Sequence, residues 1–428
     1  MEKNKLNIGI IGAGASGLAS AWLLDQHHHV TIFEKEDRLG GHVCTVPITI
    51  KGKTIPVEAG VEFFSDMMFP QFNRLLEILN VPTRKYPLTY TFYHTDNGKK
   101  VSLPPIHDGA LAWQSLNPHT LFDLTQLNHF ISAGANIMAT EDIGITLSDF
   151  ADTIMLTQEF KEHFLYPFFG ASWGVSPEDM KKFAAYDIIK WARVNEPAHI
   201  AAAQWNEVVG GMSTYINALV AELKQTTIIH SAEIIDIAYA DNQYNITQAN
   251  GQRHSFDHLI IATNAMTAKE LLKNIGHAEY FRAALALVEY FYTTIAIHGD
   301  RRLMPPDEAD WAVVNIRYDG INSALTICKP WMREVGIFRS WITYPVGVPA
   351  ENPMPHPLYD LRHFYHPIVN YGYFTGQKEL ASLQGDHNLW IAGFYTHDAD
   401  SHNNAIVSAM SIAKKLAPNS ERLRALTT

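Results

Sequence analysis

The segment Gly12-Ala13-Gly14-Ala15-Ser16-Gly17 has the spacing that lets a backbone wrap around a pyrophosphate. Gly12 allows a tight turn, Gly14 leaves room for phosphate where a Cβ would intrude, and Gly17 lets a helix pack closely on a strand. The helix that follows aims its unpaired N–H groups and positive dipole end at the anion. Glu34, seventeen residues after Gly17, stands where a carboxylate can accept hydrogen bonds from ribose hydroxyls and repel a 2′-phosphate. Beyond Lys35, Arg38 can pair with phosphate, and Gly40-Gly41 lets the backbone lie against an extended ligand with His42 beside it. Dinucleotide binding is the chemistry these residues suit.

Other residues qualify by type. Phe63, Phe64, Phe168, Phe169, Trp173 and Trp205 could wall an apolar pocket, although in a chain that is 11% aromatic most rings belong to the core. Lys329 reads first as a loop lysine facing water. No acid–base pair announces itself. His397, Asp398, Asp400 and His402 have the composition of a metal site, but before a helix they suit capping and solvent better. His27-His28-His29 reads as a solvated loop.

Elements must hold these residues in place. Residues 6–11 form an apolar run that ends in glycines, 16–26 read as a helix and 29–34 as a second strand, which together make a right-handed βαβ unit. Residues 47–57 read as a strand, about 70–79 as a helix, and about 105–200 as mostly helical. A helix at 213–224 follows Gly210-Gly211, and 226–262 reads as strand-turn-strand. Residues 286–298 and 311–344 alternate like antiparallel strands. A proline-rich loop follows, then a strand at 388–395 and a helix at about 404–416. The pattern predicts an α/β chain of two domains with a ligand cleft between them. One is a discontinuous, Rossmann-like nucleotide domain (1–80, 205–275 and 375–428). The other is an α+β substrate domain with a helical insertion (81–204 and 276–374).

Composition sets bounds. In 428 residues, 47% hydrophobic and 18% charged, there is ample core material. A net charge of −11 argues against nucleic acid, whose phosphates need a basic stripe. Cys44 and Cys328 have no metal-ligand spacing and suit two free thiols in a reducing compartment. No apolar run approaches the roughly 18 residues of a membrane span, and the N-terminus lacks a leader pattern. A cytoplasmic protein is expected.

The glycine motif, the acid and Arg-x-Gly-Gly together resemble the flavin-containing amine oxidase superfamily, and the likeness runs along the whole chain. Residues 58–64 (EAGVEFF) resemble its segment beneath the flavin, which implies contacts from Gly60, Val61, Glu62 and Phe63. Residues 208–219 are similar to its glycine-pair helix start, and Ile234 stands where members contact adenine. Residues 258–263 resemble the strand closing the nucleotide domain, with Ala262 and Thr263 at the cofactor. Residues 389–395 resemble the second flavin-proximal strand, followed by Asn404, Ala405 and Ile406. The chain is most similar to a bacterial branch described as NAD/FAD-binding or amine-oxidase-like, with His42 and Thr45 after the glycine pair and the stretches 164–177 and 303–311. It departs from the pattern after Gly393, where Phe394 replaces a common acid, and over 397–404. No cysteine lies near that strand, so non-covalent FAD is implied. The resemblance implies hydride transfer from an amine or another small apolar substrate to the flavin, with O2 a possible acceptor. Only by this resemblance is Lys329 a catalytic candidate. Two alternatives remain: a flavin-dependent isomerase of fatty-acid double bonds, which the insertion at 105–200 resembles, and a non-catalytic flavin-binding protein.

Overall fold

The computed structural model describes residues 5–50, 52–107, 110–111, 117–194, 203–349 and 351–427. The apolar run Asn7–Ile11 is buried at four of its five positions. Parallel neighbours flank it on both sides: His29–Phe33 on one and His258–Ile261 on the other. Thr227–Ile229 and Leu389–Ile391 complete a parallel five-stranded sheet at its two edges. Strands covered on both faces read as continuous apolar runs, which is why this sheet is visible in the sequence. Helix Ala15–Leu24 is buried along its full length and packs against helix His402–Leu416. A fully buried Leu of this kind contributes about 1.5–3 kcal/mol.

A seven-stranded sheet stands opposite. Its order is Leu358–Pro367, Tyr290–His298, Phe338–Trp341, Ser323–Ile327, Val314–Tyr318, Tyr90–His94 and Lys100–Leu103. The pair Val314–Tyr318 with Tyr90–His94 is parallel, whereas the other neighbours are antiparallel. Helices Pro118–Thr140, Leu147–Thr153, Tyr166–Trp173 and Ala185–Val194 occupy most of the expected helical stretch. Pro118 opens the first, where its missing N–H is no loss, and Asn117 caps it by accepting from the Thr120 N–H.

Several expectations needed correcting. Residues 47–57 are not one strand but the hairpin Thr45–Ile50 with Lys53–Glu58. Within 105–200, Ile106–His107 pairs with Ala110–Leu111, and 195–202 lie outside the described residues. The strand at 388–395 ends at Ile391, because the chain folds back at Gly393, where a Cβ would sit 2.5 Å from the Tyr395 ring. His28 is buried rather than solvated, with its ring nitrogens on Leu6 N–H at 3.3 Å and Leu416 O at 3.0 Å. Strand Leu358–Pro367 and helix Tyr371–Leu383 carried no expectation at all.

Candidate functional site

A cavity of about 1330 Å³ opens at the carboxyl ends of the parallel strands and runs to the long helix Pro118–Thr140. That strand end is where open α/β sheets bind ligands. Its volume exceeds the roughly 300–1,000 Å³ of an ordinary ligand site, leaving room for a dinucleotide and a second molecule.

The three motif glycines differ in what requires them. Gly12 has φ +103° and a Cβ there would lie 2.7 Å from Ala262 O. At Gly17 a Cβ would lie 2.0 Å from Gly12 O. Both are needed by the protein's own packing. Gly14 is not: a Cβ would approach no protein atom closer than 4.0 Å and would project into the cavity. The space in front of Gly14 therefore suits a ligand, as a pyrophosphate cradle requires.

Glu34 lines the cavity, 8% exposed, with both carboxylate oxygens engaged. Oε2 accepts from the Ala13 N–H at 2.8 Å and Oε1 from the Glu36 N–H at 3.0 Å. Each oxygen keeps a lone pair for a ribose hydroxyl. Glu34→Ala removes the acceptor for both N–H groups as well as for the ribose. Dinucleotide affinity should fall by about 1–3 kcal/mol, measured by calorimetry; unchanged affinity would remove Glu34 from the ribose site. Arg38 also lines the cavity, but its terminal nitrogens donate to Val43 O at 3.0 Å and Gly41 O at 2.8 Å. It shapes the Gly40-Gly41 loop, which bridges back to Gly14.

Further along, Gly60, Val61, Glu62 and Phe63 border the cavity. Burial pushes the Glu62 carboxyl up, but Arg339 and Lys329 together outweigh it and hold the carboxyl below the usual range. Arg339 Nη1 lies 2.7 Å from Glu62 Oε2 and also donates to Glu58 O and Gly60 O. Lys329 is not a water-facing loop lysine; at 2% exposed, it bridges Glu62 and Glu207, with Nζ 2.7 Å from Glu207 Oε2. Arg84 pairs with the same Glu207. Lys329 lines a separate cavity of about 280 Å³, with Glu62 between it and the large one. Burial, opposed by hydrogen bonds from the Met212 N–H and Thr45, raises Glu58 to about 7.

His42, His366 and His402 border the large cavity as neutral imidazoles. Burial, reinforced by Arg38, pushes His42 down to about 4, and burial takes His366 and His402 to about 3. Burial raises Asp400, another lining residue, to about 7. Asp398 instead bonds Tyr186 and Lys190 away from the cavity, and Ser401 caps the last helix. No metal-binding group of these residue types occurs among the described residues.

Beyond Phe63 the cavity becomes an aromatic chamber. Trp205 stacks on Trp191 with ring centroids 5.8 Å apart, and Phe63 meets the Trp205 edge at 5.8 Å. Tyr90 lies 5.4 Å from Phe168, and Phe169 lies 6.1 Å from Trp173. Leu124, Leu127 and Ile131 extend the wall along the long helix.

Most of the sequence-nominated residues therefore converge. Ala15, Ser16, Lys35, Ile234, Ala262, Thr263, Gly393, Phe394 and Ala405 also line the cavity. Six do not: Ala13 and Gly17 act through backbone and packing, Asn404 bonds Ala399 O, Ile406 is core, Lys329 stands behind Glu62, and Phe64 turns into the core against Phe69 and Phe72. Sequence reasoning missed Arg339, Trp191, Trp341 and the strand residues 361–366.

A family model for flavin-containing amine oxidoreductases matches residues 15–334. The chain belongs to that family. It is a flavin oxidoreductase. No curated protein matches it in sequence. Among solved structures it is similar to a CLA-producing fatty acid isomerase from P. acnes, with TM-score 0.70 and 13% identity over 96% of this chain and 98% of that one. It is also similar to cyclohexylamine oxidase from Brevibacterium oxydans IH-35A, with TM-score 0.66 and 14% identity over 98% and 100%. A putative protoporphyrinogen oxidase from Exiguobacterium sp. 255-15 has TM-score 0.62 and 14% identity over 97% and 99%. At these identities the likeness is one of fold.

Proposed function

We propose that the protein binds FAD non-covalently and oxidises an apolar substrate, an amine being the first class to test, with O2 as the acceptor. The observation that carries this reading is the single cavity joining the Gly14 cradle to the aromatic chamber of Phe168, Phe169, Trp173, Trp191 and Trp205. When bound, the flavin supplies the hydride acceptor. The chain's own part is to hold the dinucleotide at Gly12–Gly17 and Glu34 and to exclude water with aromatic walls. Neither cysteine lines the cavity among the described residues, which supports non-covalent retention. Both are buried and unpaired, in keeping with a cytoplasmic location. No helix among the described residues is long and apolar enough to cross a membrane. We divide the chain at the boundaries given above, with 1–80, 205–275 and 375–428 forming the cofactor domain.

A second reading, the fatty-acid double-bond isomerase, is favoured by Leu124, Leu127 and Ile131, which carry the chamber beyond its aromatic part. The test is anaerobic titration of the flavin-loaded protein with amines and with unsaturated fatty acids. Loss of the oxidised-flavin absorbance with an amine, restored by air, is the expected result. A rearranged fatty acid with the flavin still oxidised would replace oxidation by isomerisation. With neither bleaching nor product, the reading fails.

A further inference from the structure

The strand Leu358–Pro367 is the outermost of the seven-stranded sheet and pairs only with Tyr290–His298. Side chains alternate along a strand, so Arg362, Phe364 and His366 share one face. That face looks onto the glycine-pair loop: the Phe364 ring lies 5.3 Å from His42, and His366 stacks on His42 at 5.6 Å. Residues 361–366 all line the large cavity, those of the opposite face included.

The hydrogen-bond pattern explains the second set. Thr294, which pairs with His363, directs its backbone to the other neighbouring strand, with its N–H on Thr343 Oγ1 at 3.1 Å and its C=O on the Ile342 N–H at 2.9 Å. His363 is thus in a non-bonded pair, and by antiparallel alternation the peptide groups of Leu361, His363 and Tyr365 face the open edge. A row of N–H donors and one arginine overlook the cleft.

A dinucleotide's pyrophosphate carries two negative charges, and the cradle offers them only a helix end. Arg38 directs both terminal nitrogens at loop carbonyls, Arg339 is paired with Glu62, and Lys35 is 74% exposed beside Glu36. Arg362 uses only Nε, on Asp360 Oδ2 at 2.7 Å, and its two terminal nitrogens hold nothing among the described residues.

We propose that the inner face of this edge strand is part of the cofactor site and that Arg362 is the cation for the FAD pyrophosphate. The cofactor is then held from both sides of the cleft. This rests on the FAD reading.

The experiment compares FAD binding to wild-type apoprotein, Arg362→Gln and Arg362→Lys, by quenching of flavin fluorescence at low and high salt. Arg362→Gln should raise the FAD Kd by about 10- to 100-fold, the range of a lost charge-assisted hydrogen bond. It should also flatten the salt dependence, and Arg362→Lys should restore much of both. The side chain is 44% exposed, so the apoprotein's melting temperature should not move. Wild-type Kd in Arg362→Gln, or a higher Kd with unchanged salt dependence, would overturn the proposal. If the wild-type protein itself binds no FAD, the FAD reading falls first and takes the proposal with it.

Discussion

Gly14→Val is expected to purify folded and colourless. Gly14 has φ −72° and ψ −178°, extended backbone that any residue adopts, at the N-cap of helix Ala15–Leu24. An added Cβ meets nothing closer than the Gly41 Cα at 4.0 Å, so the backbone at this position does not resist a side chain. The valine methyls instead occupy the space in front of the helix N-terminus, where the phosphates must lie. Losing that approach should weaken FAD binding by at least about 1,000-fold, or roughly 4 kcal/mol. Thermal melting without flavin should be close to wild type, and the absorbance spectrum should lack flavin. Gly17→Ala provides the contrast, because its Cβ would collide with Gly12 O and the protein should not fold. A folded Gly14→Val protein with full yellow colour would end the cofactor assignment.

Lys329→Met should be among the most destabilising single changes in the chain. The ammonium is 2% exposed and sits between Glu62 and Glu207, with the rings of Phe63, Tyr86 and Trp331 5.3–5.7 Å away. Removing one member of a buried ion network leaves charge uncompensated, at a cost of about 3–5 kcal/mol. The lower end applies here, because Glu62 keeps Arg339 and Glu207 keeps Arg84. Denaturant unfolding should show a lower midpoint at unchanged slope. A loss below about 1 kcal/mol would mean that the network is far better solvated than its burial implies. Adding Glu207→Gln should recover part of the loss, since the two changes share one interaction.

What was legible in the sequence was local. Gly12 to Glu34 form one continuous unit in which each residue's role depends on its near neighbours, so spacing was enough to place them. The chamber is different. Trp191 and Trp205 stack across a stretch without regular spacing, and Tyr90 meets Phe168 from 78 positions away in the chain (168 − 90). Adjacent Phe63 and Phe64 are alike in type, yet one borders the cavity and the other packs on Phe69 and Phe72, as the alternation of an extended segment dictates. The importance of Lys329 lies in Glu207, which is distant in sequence and reaches it only because strand Gln204–Val208 pairs with Thr83–Pro87 beneath the same site. Arg362 sits in a strand, LYDLRHFYHP, that mixes aliphatic, aromatic and charged residues without a period of two, and nothing in that pattern announced an inner face.

The parallel sheet also imposes a schedule on biosynthesis. Its central strand, Asn7–Ile11, precedes all its sheet partners in the chain: its neighbour His258–Ile261 follows some 250 residues later and Leu389–Ile391 later still. Contacts of such separation make folding slow and leave unpaired strand edges exposed meanwhile. The Gly12–Gly17 turn is therefore made well before the strands His258–Ile261 and Leu389–Ile391 that complete its sheet. On the FAD reading, the cofactor site is complete only once Leu389–Ile391 has joined the sheet, so flavin loading follows the docking of that strand.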